Sequence, residues 1–189
     1  MSKTYEVYPT TSYIPTKEKI GKLAEKYLNI FLEKENIKEE YKKKLKVANS
    51  TLKFSDKSYI NRANICMVDT EYDTYQLNIK EGNAIFVFFH NYNNLYIEFL
   101  ISDLKNEINE KEIYKTIKLG YMWSIKRTAW QPVLANILYG FVAIAIAELT
   151  NGLIYSDDGA WNFKEIPLKA EEFLPMLLNA TIEQILRSE

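Results

Sequence analysis

From Val133 to Leu149 the chain is almost wholly apolar, rich in Ala, Ile and Leu, with polar side chains of note only at Asn136 and Glu148. A helix built from such a run has no wet face, so it belongs either in a bilayer or at the centre of a globular core. A membrane span needs about 20 consecutive apolar residues and tolerates a carboxylate badly. This run is shorter, and Glu148 sits near its end, so the expectation is a buried core helix and no membrane association. The rest of the chain then has to bring apolar faces to that helix from every side.

A chain of 189 residues fits a single domain over 1–189 and is long enough to bury roughly 70% of its unfolded surface. With hydrophobic residues at 47% and charged ones at 26%, a folded domain is the default. Cys66 is the lone cysteine, which excludes an intrachain disulfide. Residues 1–6 carry no apolar stretch of the kind a signal peptide needs, so a cytoplasmic protein is expected.

The periodicity divides the chain in three. After Pro15 and the candidate N-cap Thr16, the residues Ile20, Leu23, Ala24, Tyr27, Leu28 and Phe31 recur at helical spacing. A weaker helical turn is expected between Ile37 and Leu45. The middle switches to a two-residue period. Strands are expected at Ile65–Asp69, around Tyr75–Ile79, at Ala84–His90, at Leu95–Ile101 and across Ile113–Ile125, with turns at Glu81-Gly82-Asn83 and Asn91–Asn94. A helix from about Thr128 to Leu149 stops at Asn151-Gly152, and a short strand follows at Leu153–Ser156. The last helix is expected over Ala170–Arg187, broken or delayed at Pro175. Helix, then strands, then helices is an α+β pattern: an antiparallel sheet of about five strands, with N-terminal and C-terminal helices packed on it.

Chemistry is sparse. His90 is the only histidine, and no nucleophile is spaced to use it as a base. Cys66 lies in an apolar strand pattern, where a thiol acts as a small hydrophobe. One His and one Cys cannot build a zinc site, and the six scattered glycines form no phosphate loop, so neither metal nor cofactor is expected. The net charge of −1 argues against nucleic acid as a partner. It hides an asymmetry: residues 1–58 hold 13 lysines against eight acids, and the remainder 11 basic against 17 acidic residues. The basic run at Lys42, Lys43, Lys44 and Lys46 adjoins Glu39 and Glu40 and reads as a solvated helix face.

Two segments stand out. Gly120–Trp130 gathers Trp123, Arg127 and Trp130, residue types that anchor interfaces, although core tryptophans beside exposed cations would read the same way. Thr150–Trp161 runs from a helix end through a short strand into the turn Asp157-Asp158-Gly159 and closes on Trp161. An acidic turn beside an aromatic can steer and hold a protein partner. Together with Pro167 and Glu171-Glu172-Phe173-Leu174, this second segment resembles a C-terminal pattern in small bacterial immunity proteins of polymorphic and contact-dependent toxin systems. The resemblance implies a cytoplasmic, non-enzymatic inhibitor that neutralises a cognate toxin domain by direct binding. Asp157, Asp158, Trp161, Trp123, Arg127 and Trp130 are the expected partner-binding residues. The alternative is a hydrolase-like enzyme that uses Asp157 or Asp158 with His90.

Overall fold

The computed structural model describes residues 3–34, 53–55, 73–78, 84–91, 98, 102, 110–127, 133–156 and 167–181. Among these residues seven strands pair antiparallel into one sheet: β1 (Lys3–Tyr8), β2 (Lys53–Ser55), β3 (Asp73–Asn78), β4 (Ala84–Asn91), β5 (Tyr121–Arg127), β6 (Leu153–Tyr155) and β7 (Leu168–Lys169). Their order is β2-β3-β4-β5-β1-β6-β7. The outermost pair, β2 and β7, run only three and two residues. Inside them lies an open sheet of five strands, and with its helices the fold is α+β. The first strand in the chain occupies the interior of the sheet, between two strands that lie more than a hundred residues later.

Four helices whose ranges are described accompany the sheet: α1 (Lys17–Leu32), α2 (Glu110–Leu119), α3 (Val133–Thr150) and α4 (Ala170–Asn179). Thr16 caps α1, its hydroxyl oxygen accepting from the Lys19 N–H at 3.4 Å. Side-chain alternation along the strands decides what each face of the sheet meets. Tyr5, Val7, Ile85, Val87, Trp123, Ile125 and Ile154 turn to one side and join the apolar faces of α1, α3 and α4 in the main core. Tyr8, Met122 and Leu153 turn to the other side, where Ile117 of α2 packs on them.

The apolar run is the core helix that its composition demands. Every residue from Ile137 to Ala147 in α3 is buried, with α1 and α4 beside it and the sheet beneath. No helix among the described residues is long and apolar enough to cross a membrane. The close approach of α4 leaves Gly140 little room: a Cβ there would stand 2.8 Å from Cδ2 of Leu177, which would have to shift. The C-terminus of α3 closes in a Schellman motif. The Gly152 N–H donates to the Ala147 carbonyl at 2.7 Å, the Asn151 N–H to that of Glu148 at 3.3 Å, and Asn151 takes the left-handed conformation with φ 49°. The loop after β1 completes the cap. The Thr10 N–H and the Thr11 hydroxyl donate to the Thr150 carbonyl, and the Thr10 hydroxyl donates to that of Asn151.

Three expectations need correction. The strand drawn across Ile113–Ile125 is two elements, because Ile113 and Ile117 are spaced i, i+4 and belong to α2. Gly120, at φ 77°, turns the chain before β5 begins. The strand at Leu95–Ile101 is not extended where it is described, since Glu98, and Ser102 just beyond it, are helical. A short apolar run satisfies either period. Pro175 does not interrupt α4, which runs through it to Asn179. It sits on the exposed side of the helix, and the carbonyl that loses its donor is that of the exposed Glu171. The helical turn at 37–45, the strand at 65–69, the Lys42–Lys46 run and Cys66 lie outside the described residues.

Candidate functional site

The residues singled out for partner binding fall on the sheet and on the connections that leave it. Trp123 is one of them and has to be withdrawn as a contact residue. It is 1% exposed, on the helix-covered face of β5, with its ring edge-on to Phe89 at 5.2 Å and to Tyr121 at 5.6 Å. A partner could touch it only by opening the core, so the plainer reading of this tryptophan as packing is the correct one.

Arg127 ends β5, and its backbone lies in register with Lys3 on β1 and with Ile85 on β4. Ser156, the last described residue before the acidic turn, follows β6, and its hydroxyl donates to the Thr4 carbonyl at 2.9 Å. The end of β6 therefore points to the same end of the sheet as Lys3 and Arg127. Only β1 separates β5 from β6, so the two strands are roughly 10 Å apart. The connection after Arg127 contains Trp130, and the connection after Ser156 contains Asp157, Asp158 and Trp161. Trp130, Asp157, Asp158, Trp161 and the Arg127 side chain lie outside the described residues. The strand topology thus starts the two connections from one end of the sheet, two strand spacings apart.

His90 stands elsewhere. It is buried on the face of β4 that turns away from the main core, ring against Phe88 at 6.0 Å, with Phe88 stacked in turn on Phe86. Burial, and after it the positive charge of Lys126, push its imidazole down to about pH 4. At neutral pH the ring is uncharged and a weak base. Lys126 lies over the Phe88 ring, 5.7 Å from its centroid. Two strands, β5 and β1, intervene between β4 and β6, which sets His90 roughly 14 Å across the sheet from the strand that leads into the acidic turn. Among the described residues no group of three or more His, Cys, Asp or Glu side chains could hold a metal ion.

Two features escape a reading of the sequence by motif. At the far end of the sheet, a cleft of about 360 Å³ opens between the C-terminal end of α3 and the N-terminal end of α4, with Glu148, Asn151, Lys169 and Glu171 among its lining residues. Beneath it, the Tyr27 hydroxyl of α1 donates to the Glu148 carboxylate. Burial, the hydrogen bond and the carboxylate's charge all raise the pKa of that phenol. The sequence marks Glu148 as the carboxylate near the end of the apolar run, but nothing local names a partner for it. Which donor it finds depends on how α1 crosses α3, and no local pattern encodes that crossing.

No protein family model, curated protein or solved structure matches this chain significantly.

Proposed function

We propose that the protein acts by binding a partner protein and not by chemistry, as an immunity protein that neutralises a cognate bacterial toxin domain in the cytoplasm. The observation that carries this reading is that β5 and β6, with only β1 between them, both end at the same end of the sheet. Arg127 and the connection holding Trp130 start there, and so does the connection holding Asp157, Asp158 and Trp161. Trp and Arg supply most of the energy at protein interfaces, and neighbouring acidic groups speed the encounter with a partner. Side chains of these types can anchor a partner without a catalytic cleft. The enclosed, weakly basic His90 supports the same reading, since burial disfavours it as the base of the alternative hydrolase.

The test is co-expression of the tagged protein with the product of the neighbouring gene. Stoichiometric capture of a neighbour that is toxic on its own is the expected result. The double charge reversal Asp157→Lys, Asp158→Lys should then slow association by tenfold or more at low salt. A Tyr13→Ala variant, altered in the loop that leaves the opposite end of β1, should associate like the parent. Failure of the folded protein to capture any neighbour, or equal association rates for both variants, would overturn the proposal.

A further inference from the structure

We draw no further inference here: the strongest candidate, the cleft between the C-terminal end of α3 and the N-terminal end of α4, carries nothing because its two exposed carboxylates, Glu148 and Glu171, are offset by Lys169 and no observation there points to a ligand.

Discussion

Single residues in this fold carry constraints that can be measured one at a time. Gly152 follows Asn151 out of α3, and a Cβ there would stand 2.7 Å from the backbone oxygen of Tyr8. The clash is with backbone, which cannot swing aside, so Gly152→Ala should cost about 1–3 kcal/mol in urea denaturation, within the usual range for point mutants. Asn151→Gly, at φ 49°, should be neutral, whereas Asn151→Val should cost at least about 1 kcal/mol. His90 sets a pH dependence. Below pH 6.5 the unfolded chain takes up a proton that the folded imidazole refuses until about pH 4. Stability should therefore fall across that window by up to about 1 kcal/mol per pH unit, and His90→Phe should flatten the slope. Tyr27 acts at the other extreme. Its raised pKa lets the folded state keep a proton that the unfolded chain loses above pH 10, so its contribution is complete below pH 10 and declines as pH rises further. Tyr27→Phe should cost about 1–2 kcal/mol at neutral pH, the low end for a hydrogen bond to a carboxylate because water can reach the exposed Glu148, and should weaken the alkaline decline.

Among the elements, the contact between α3 and α4 is the one most open to a quantitative test. Leu177 is fully buried and sits where a side chain at Gly140 would otherwise go. Leu177→Ala should cost about 2–5 kcal/mol, and Gly140→Ala should destabilise the parent by forcing Leu177 aside. Combined, the two should cost less than their sum, because the methyl added at position 140 fills part of the cavity left at 177; thermal unfolding of the four proteins in the cycle gives the coupling. The elements also show where a linear reading succeeds. The first helix was legible from six apolar residues at helical spacing, the core helix from a composition that no surface helix could carry, and its end from Asn151-Gly152. β4 was legible as an uninterrupted apolar run between turn residues. The region after it was not, because Ile113 and Ile117 suit a helix while Tyr121, Trp123 and Ile125 suit a strand, and the break at Gly120 shows only once its dihedral is known. Within the candidate site, residue types nominated Trp123, but only the sheet's two-sided register reveals that it faces the core.

At the scale of the molecule, what no local signal conveys is that β1 lies inside the sheet, hydrogen-bonded on one side to β5 and on the other to β6. Nothing in the short segment Tyr5–Tyr8 names its partners, which lie more than a hundred residues away. That arrangement has a consequence for the order of events during synthesis. β1 leaves the ribosome before both of its neighbours and pairs with neither until Arg127, and then Tyr155, have followed it. At about 5–20 residues per second, that wait lasts on the order of 10 s, during which the apolar side of β1 has to be kept from other chains. The sheet cannot close from its beginning and must be completed around a strand that has been waiting, so a chain arrested before β6 should be captured by chaperones, while one arrested beyond α4 should resist protease.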